Sequence, residues 1–465
     1  MVTDSPWYKV NWGIVGLCLL LSAITLNPAL LHRVIPRDQC FNRKYVGIFH
    51  FRFWQGGEWL DVVVDDRLPT DPYSGILCFS TSTYKNEFWS SLLEKAYAKL
   101  HGSYGSLNSG KSYEATEDLT GGVTERFPLQ QQQHAEGVAA EGVEDSEGLF
   151  SIMGQTSQRG SLLTCSVPGR RQEGEEDGLV SGHGYCVTGV RRCRVNVPWK
   201  THVQLVRLRN PWGDETEWRG AWSDKSEEWG LVPKEEKRSL HHTVDSDGEF
   251  WMTFEEFKRN FNELYITSLN PHSLDDQARD QLYSMSEVVW KVLANPGQVV
   301  ERAGGRVRRV WEEVKFDGSW VRNSTAGGAP KDMKLFSSNP QYLLHLREAD
   351  EDQHHRDCDI KRSGTCTVVI SLTQKHRRVR ELPLMQLGIA VYKVSDEEGA
   401  PTPLTAPWLR CHRWVFLSKF KRARSITHRL SLPPGPYVLI PCTLLKDEEG
   451  DFLLRVFCEK GATME

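Results

Sequence analysis

Residues 316–459 carry repeated short apolar runs rich in β-branched side chains, and this pattern limits the folds open to the chain more than any other. Examples of these runs are residues 366–372, 387–392 and 437–441, and the turn sequence at 433–436 separates two of them. Helical periodicity is nearly absent across the region, so its apolar side chains fit strands better than helices. We therefore predict an antiparallel β-sandwich over residues 311–462.

The first 270 residues mix helical and β-type patterns. Alternating apolar and polar residues on both sides of Gly56 and Gly57 predict a hairpin over residues 45–66. Apolar positions at helical spacing predict an amphipathic helix over residues 86–100. The chain as a whole is therefore expected to belong to the α+β class.

A second set of patterns marks the domain boundaries. Strands are expected at 179–195 and 202–209, and the Gln- and Gly-rich stretch 130–148 is interpreted as an insertion loop. A length of 465 residues predicts roughly three domains at about 150 residues each. We place a helical part at 1–110, a β-rich part at 111–270 and a linker at 271–310, before the sandwich.

Charge and cysteine usage exclude several classes of protein. The net charge of −4 gives no overall field that favours nucleic acid, so no nucleic-acid partner is expected. The 11 cysteines contain no Cys-x-x-Cys pair, which argues against a disulfide framework and a zinc site. A reducing, cytoplasmic location is the prediction. The apolar run at 13–26 is too short for a membrane span and fits a signal peptide less well than a buried helix.

Two polar residues follow the pattern of a catalytic base and its partner. His183 lies between two glycines at the head of an apolar strand, and Asn210 follows another strand directly. In a thiol protease with a Cys-His-Asn arrangement, the histidine withdraws the thiol proton and the asparagine orients the imidazole ring. By spacing alone, the same two residues also fit a hydrogen-bonded pair at strand ends with no catalytic role.

Ten sequence blocks, in order along the chain, resemble the calpain family. Seven resemble the calpain protease core and three the β-sandwich domain that follows it: 45–51 (YVGIFHF), 61–66 (DVVVDD), 86–89 (NEFW), 92–99 (LLEKAYAK), 120–123 (TGGV), 220–224 (GAWSD), 247–251 (DGEFW), 324–328 (STAGG), 374–378 (QKHRR) and 450–452 (GDF). The resemblance covers residues 19–460. It implies a papain-like two-lobed cysteine protease core, with lobe boundaries at 1–110 and 111–270, followed by the sandwich.

The resemblance also implies an activity and roles for single residues. The activity is calcium-dependent endopeptidase action, with limited cleavage of intracellular protein substrates. His183 takes the role of the base, Asn210 that of the orienting residue, and Trp212 shields their contact from water.

The expected nucleophile segment departs from the family pattern. Calpains open their first helix with Gln-Gly-x-x-Gly-Asp-Cys-Trp, and in the ungapped alignment Val15 stands at the cysteine position. Cys18 is the nearest thiol, three residues deeper. Since three residues of helix rise about 4.5 Å, Cys18 serves as the nucleophile only if the helix begins three residues later; otherwise Cys18 is a buried structural cysteine.

Acidic residues suggest a calcium site in the second lobe. Asp245, Asp247 and Glu249 alternate along a turn, and hard divalent cations prefer such oxygen ligands. Spacing alone also fits a solvated turn. The resemblance adds Glu217 and Asp224 to the site, has Asp245 act through its carbonyl oxygen, and makes Glu87 a ligand in the first lobe.

The charged loops of the sandwich suggest a further partner. Residues 348–359 are acidic, whereas 375–380 and 419–424 are basic. They fit solvated loops, or by family analogy a calcium-modulated contact with anionic phospholipid. Because the chain ends soon after the sandwich, no penta-EF-hand domain and no small-subunit partner are expected.

Two classes of function stay open from the sequence. One is a calcium-dependent cysteine endopeptidase. The other is a catalytically inactive, calpain-like regulatory or binding protein, or the product of an alternative transcript that lacks the nucleophile.

Overall fold

The computed structural model describes sixteen segments of the chain: residues 8–9, 28–41, 45–82, 88–109, 112–130, 146–158, 161–169, 177–197, 200–211, 216–269, 312–349, 364–377, 380, 382–394, 401–458 and 462–464. Several sequence predictions fall outside these segments, namely those for Cys18, Glu87, Trp212, the apolar run 13–26 and the linker 271–310. Within the segments, no helix is both long enough and apolar enough to cross a lipid bilayer.

The chain divides into two compact units. The first comprises Met1–Trp54, Trp59–Leu269 and Ser273–Ala294, and the second comprises Gln55–Glu58, Asn270–His272 and Asn295–Glu465. The described α-helices of the first unit are α1 (Pro28–Val34), α2 (Trp89–Leu100), α3 (Ser112–Thr120), α4 (Ser146–Gln158), α5 (Lys234–Ser239) and α6 (Phe254–Asn260). Its described strands are β1 (Tyr8–Lys9), β2 (Ile48–Gln55), β3 (Glu58–Asp65), β4 (Thr81–Ser82), β5 (Val123–Pro128), β6 (Leu162–Ser166), β7 (Gly184–Val197), β8 (Lys200–Arg209), β9 (Glu249–Thr253) and β10 (Glu263–Ser268). The turn of the β2–β3 hairpin belongs to the second unit.

The predicted hairpin and the predicted amphipathic helix are both confirmed. Strands β2 and β3 pair with each other, and Phe49, Phe51 and Phe53 turn one face of β2 inward. Helix α2 buries Leu93 and Ala96 in the same hydrophobic cluster as these phenylalanines. The alternation in β2 and the helical spacing in α2 therefore serve one shared core.

The insertion loop expected at 130–148 is wrong at its end, because α4 begins at Ser146. Leu149, Phe150 and Met153 of α4 are buried in a cluster that also contains residues of β6 to β9. Packing against this sheet stabilises a helix whose own sequence is rich in Gly, Ser and Gln. Residues 131–145 lie outside the described segments.

A six-stranded antiparallel sheet in the order β5-β10-β6-β7-β8-β9 carries the candidate site. Strands β7 and β8 are neighbours, and Cys186 near the start of β7 pairs with Arg209 at the end of β8. An antiparallel pair brings the start of one strand to the end of the other. The residues just before β7 and just after β8 therefore lie at the same edge of the sheet.

The second unit consists largely of antiparallel strands. Its described strands are β11 (Glu312–Trp320), β12 (Tyr342–Leu346), β13 (Cys366–Gln374), β14 (Gln386–Lys393), β15 (Phe416–Leu417), β16 (Lys421–Arg422), β17 (Ser425–Leu432), β18 (Gly435–Thr443), β19 (Gly450–Cys458) and β20 (Ala462–Met464). Two short helices, α7 (Met333–Phe336) and α8 (Ala406–Cys411), interrupt them.

These strands form two sheets that share a hydrophobic core. The first sheet has the order β11-β19-β13-β17, and the second has the order β15-β14-β18-β12-β20 with β16 also paired to β14. Val368 and Leu454 of the first sheet share a buried cluster with Leu387 and Leu439 of the second. Two antiparallel sheets around a common core form the arrangement that the short apolar runs predict.

Candidate functional site

Neighbouring strands bring His183 and Asn210 together. His183 immediately precedes β7, and its carbonyl oxygen accepts a hydrogen bond from the Val167 backbone N–H at 2.9 Å. Asn210 immediately follows β8, and its backbone N–H donates to the Gly248 carbonyl oxygen at 2.7 Å. Each residue thus extends the ladder of its strand by one backbone bond, which fixes its position at the sheet edge.

The two side chains are buried and hydrogen-bonded to each other. His183 Nε2 lies 3.0 Å from Asn210 Oδ1, and the two residues are 4% and 0% exposed. Asn210 Nδ2 donates to the Thr216 carbonyl oxygen at 3.0 Å, so its Oδ1 is the atom that faces the imidazole ring. Nε2 is therefore the protonated ring nitrogen of neutral His183, and Nδ1 is the nitrogen that accepts a proton.

A glycine turn sets the direction in which His183 enters the site. Gly182 has φ +68°, a left-handed conformation that side chains with a Cβ adopt at a cost. Its N–H donates to the Pro168 carbonyl oxygen at 2.9 Å. The imidazole then packs edge-on against the buried Tyr185 ring, with 5.2 Å between ring centroids. Turn and ring together restrict the side chain to one orientation.

An acidic turn lies beside this pair, at the same edge of the sheet. The Glu217 carboxylate accepts a hydrogen bond from the Gly248 N–H at 2.7 Å, and the Asp247 carboxylate accepts one from the Glu249 N–H at 3.0 Å. Gly248 has φ +79°, so glycine suits this position in the turn. The turn is thus held by its own Asp247 carboxylate and by the Glu217 carboxylate from a segment that is distant in sequence.

Like charges and burial raise the pKa of two carboxyl groups here. Burial first, and then repulsion from the Glu217 carboxylate, raises the pKa of Asp224 to about 7. Burial, together with the negative charge of Asp247, also raises the pKa of Glu217, although the Gly248 N–H partly opposes this. Asp245 belongs to the same group, because its N–H bonds to the Asp224 carboxylate. A cation among these oxygens would relieve their repulsion.

Glu249 has different partners from the other acidic residues. Its Oε1 accepts a hydrogen bond from Thr188 Oγ1 at 2.8 Å and lies 3.6 Å from Arg207 Nε. Arg207 in turn donates to Thr188 Oγ1 at 3.0 Å. Across the described segments, no three or more His, Cys, Asp or Glu side chains are grouped as a metal ion requires.

The sequence identifies the two central side chains but not the groups that support them. Thr216 and Gly248 hold Asn210 through carbonyl oxygens. Thr188 holds Glu249 through a hydroxyl. A backbone carbonyl leaves no signature in residue type, so only the fold reveals the first two. Cys18, Trp212 and Glu87 lie outside the described segments, and their positions relative to the pair stay predictions.

Two family profiles match the chain. One, described as "Calpain family cysteine protease", matches residues 2–268, and the other, described as "Calpain large subunit, domain III", matches residues 316–457. Together they include the sheet that carries His183 and Asn210 and most of the strands of the second unit.

Curated proteins are similar over nearly the whole chain. Calpain-A of Drosophila melanogaster is 39% identical over 469 residues, and calpain-9 of Mus musculus is 41% identical over 461 residues. These alignments cover 98% and 97% of this chain, but 51% and 58% of the two relatives. The chain thus spans about half the length of the curated relatives it matches.

Proposed function

The chain belongs to the calpain family of cysteine proteases, and from that premise we propose that it is a calcium-dependent endopeptidase that makes limited cuts in cytoplasmic proteins. The observation that carries the proposal is the buried contact of 3.0 Å between His183 Nε2 and Asn210 Oδ1. A thiol protease needs an imidazole held in this way, because the ring must accept a proton at Nδ1 and return it later.

Each residue has a defined role in the proposed reaction. His183 withdraws the thiol proton of Cys18 at Nδ1, and the thiolate forms a bond to the carbonyl carbon of the scissile peptide. When the C–N bond breaks, His183 returns the proton to the leaving amine. His183 then accepts a proton from water, whose oxygen forms a bond to the acyl carbon; the C–S bond breaks, the acid product leaves, and the proton returns to the Cys18 thiolate. Asn210 keeps the ring in its tautomer, and Trp212 excludes water from their hydrogen bond.

Calcium is proposed to bind beside this pair. Glu217, Asp224 and Asp247 would supply carboxylate oxygens and Asp245 its carbonyl oxygen, whereas Glu249 would join after leaving Thr188 and Arg207. The raised pKa values of Asp224 and Glu217 support the proposal, because crowded carboxylates favour a bound cation. Glu87 is proposed as a ligand of a separate site in the first lobe. Bound calcium would supply positive charge and fix the turn.

Calcium binding can be tested without measuring activity. We expect calcium to raise the melting temperature of the wild-type chain, because a ligand that binds only the folded state stabilises it. The double variant Asp247→Asn, Glu249→Gln should lose this increase, whereas the exposed control Glu255→Gln should keep it. An unchanged calcium response in the double variant would contradict the proposed site.

A weak contact between the sandwich and anionic phospholipid is also proposed. Lys419, Lys421 and Arg422 are exposed, and residues 401–446 contain no Asp or Glu. Each basic residue near an anionic membrane contributes only about 1 kcal/mol, so such binding would be reversible. Sedimentation with phosphatidylserine vesicles, compared with phosphatidylcholine vesicles, tests this.

A second candidate function is a non-catalytic, calpain-like regulatory protein or a transcript product without the nucleophile. Val15 at the family's cysteine position favours it. Without a thiol at the right height in the helix, the His183–Asn210 pair has no nucleophile to activate. The site would then bind polypeptide segments without cleaving them.

Cleavage of casein distinguishes the two candidates. The purified chain with calcium should cleave casein, and Cys18→Ser should abolish the cleavage because an alcohol does not form the thiolate. Cys78→Ser is the matched control, since Cys78 is an exposed free thiol. If the unmodified chain with calcium leaves casein intact, the non-catalytic function stands.

A further inference from the structure

Hydrogen bonds at both side-chain polar atoms and at the backbone N–H hold Asn210 in place. Its side-chain Oδ1 lies 3.0 Å from His183 Nε2, and its Nδ2 donates to the Thr216 carbonyl oxygen at 3.0 Å. Its backbone N–H donates to the Gly248 carbonyl oxygen at 2.7 Å. Both supporting oxygens belong to the segment 216–248, outside the strands β7 and β8 that bring His183 and Asn210 together. The orientation of the amide therefore depends on that segment.

Glu217 is linked to both supports of Asn210. Its peptide nitrogen belongs to the same peptide group as the Thr216 carbonyl oxygen. Its carboxylate accepts a hydrogen bond from the Gly248 N–H at 2.7 Å. The carbonyl oxygen of the same Gly248 accepts the hydrogen bond from the Asn210 backbone N–H. Glu217, Gly248 and Asn210 thus form a closed ring of hydrogen bonds and one short stretch of chain.

We propose that Glu217 is a positioning residue for the His183–Asn210 pair and acts through the hydrogen bond that its carboxylate accepts from the Gly248 N–H. This inference rests on the proposed function only where it treats His183 as the base; the contacts themselves need no cation. A change at the Glu217 carboxylate reaches the imidazole through Gly248 and the Asn210 backbone that Gly248 holds. The acidic turn therefore controls the alignment of the catalytic pair as well as carrying charge.

In this role the length of the Glu217 side chain matters more than its charge. Gly248 is in the left-handed region at φ +79°, and the bond to its N–H restrains the turn together with the bond that its carbonyl oxygen accepts from the Asn210 N–H. A hydrogen bond from a buried backbone group weakens steeply when its acceptor moves away. Shortening the side chain by one methylene should release Gly248, whereas removing only the charge should not.

Two variants separate these properties. Glu217→Gln keeps the length of the side chain and an acceptor oxygen but removes the charge. Glu217→Asp keeps the charge but withdraws the oxygens from Gly248. Glu235→Leu is the control, because Glu235 is an exposed acidic residue of α5 in the same segment. All are examined as the full chain in EDTA, without calcium and without substrate.

Hydrogen exchange and proton NMR provide the two readouts. In Glu217→Asp, exchange of the Asn210 and Gly248 backbone amides should rise about tenfold, the change expected when one hydrogen bond of ordinary strength is lost. The downfield imidazole N–H resonance, assigned by its absence in His183→Ala, should broaden or disappear. Glu217→Gln and Glu235→Leu should match the wild-type chain in both readouts.

The inference is overturned if Glu217→Asp keeps wild-type exchange and the imidazole resonance. It is equally overturned if Glu217→Gln loosens the site as much as Glu217→Asp, since charge rather than reach would then hold Asn210. Neither readout uses calcium or proteolysis. A failure to cleave casein or to bind calcium would therefore contradict the proposed function and leave this result intact.

Discussion

Glu94 in helix α2 carries a carboxyl group that is buried, which is unusual for an ionisable side chain. The side chain is fully buried, and Oε2 accepts a hydrogen bond from the Ser80 N–H at 2.8 Å. Oε1 has no hydrogen-bond partner among the described residues. Burial raises the pKa of Glu94 to about 7, although the Ser80 N–H partly opposes the shift. The group is therefore neutral in mildly acidic solution.

This pKa makes the first unit less stable as the pH rises. Between pH 4.5 and about 7, the folded chain holds a proton on Glu94 that the unfolded chain has lost, so the free energy of unfolding falls with increasing pH. At about 1.4 kcal/mol per pKa unit, the loss is on the order of 3 kcal/mol. Urea unfolding at pH 5 to 8 measures it.

The variant Glu94→Gln should flatten this dependence, because an amide keeps an acceptor for Ser80 and does not ionise. Glu255→Gln is the matched control, since the Glu255 side chain is 78% exposed and its loss should leave the pH dependence unchanged. Equal slopes for wild type and Glu94→Gln would show that ionisation of Glu94 does not cause the effect.

At the level of single residues, the sequence indicates which side chains meet at the site better than it indicates the contacts that hold them in place. His183 and Asn210 are recognisable because they stand at the positions of the base and the orienting residue in the calpain resemblance, and the fold brings them to 3.0 Å. The acidic residues near Asp247 are recognisable from spacing, but the pairing of Glu249 with Arg207 depends on two strands that are distant in sequence. Contacts of this kind follow from tertiary packing, which residue type does not encode locally.

Among the elements, the turn before β7 depends on a single glycine. Gly182 at φ +68° directs the chain so that His183 begins the strand. A residue with a Cβ in this conformation costs about 1–2 kcal/mol. We expect Gly182→Ala to lower the free energy of unfolding of the first unit by this amount, as measured by urea denaturation.

Gly230→Ala is the control for this prediction. Gly230 does not have a positive φ, and nothing lies within 4 Å of the position its Cβ would take. Its substitution should change stability by less than about 0.5 kcal/mol, as for other unconstrained sites. Equal losses in the two variants would mean that the left-handed turn is not the source of the cost.

Elements with strong periodicity are the ones that the sequence predicts. The hairpin β2–β3 and helix α2 keep regular apolar spacing, and both are found close to their expected bounds. Helix α4 is missed because Gly148, Gly154 and several Ser and Gln residues hide its short apolar face. Strand β7 starts at Gly184 rather than 179, since the turn at Gly182 delays it.

At the scale of the whole chain, each compact unit contains hydrophobic clusters of its own. The six-stranded sheet of the first unit packs around Leu208, Phe250 and their neighbours, and the two sheets of the second pack around Val368, Leu439 and theirs. A unit with its own core can unfold in its own transition. Calorimetry of the full chain should therefore resolve more than one transition.

A buried ion pair in the second unit allows these transitions to be assigned. Arg455 Nε of β19 lies 2.5 Å from Glu313 Oε1 of β11, and both side chains are 3% exposed. The guanidinium also lies 5.1 Å from the centre of the Phe457 ring. Removing one partner of such a pair leaves a buried charge and costs about 3–5 kcal/mol, whereas replacing both with apolar residues is often neutral.

Arg455→Met should therefore lower the melting temperature of one transition only, that of the second unit, because it leaves the Glu313 carboxylate buried without the guanidinium. The double variant Glu313→Leu, Arg455→Met should recover most of the loss, since it removes the stranded charge. Gly182→Ala should shift the other transition and leave this one in place. If the chain showed a single transition that Arg455→Met and Gly182→Ala both moved, the two units would unfold as one cooperative unit, and their independent unfolding would be wrong.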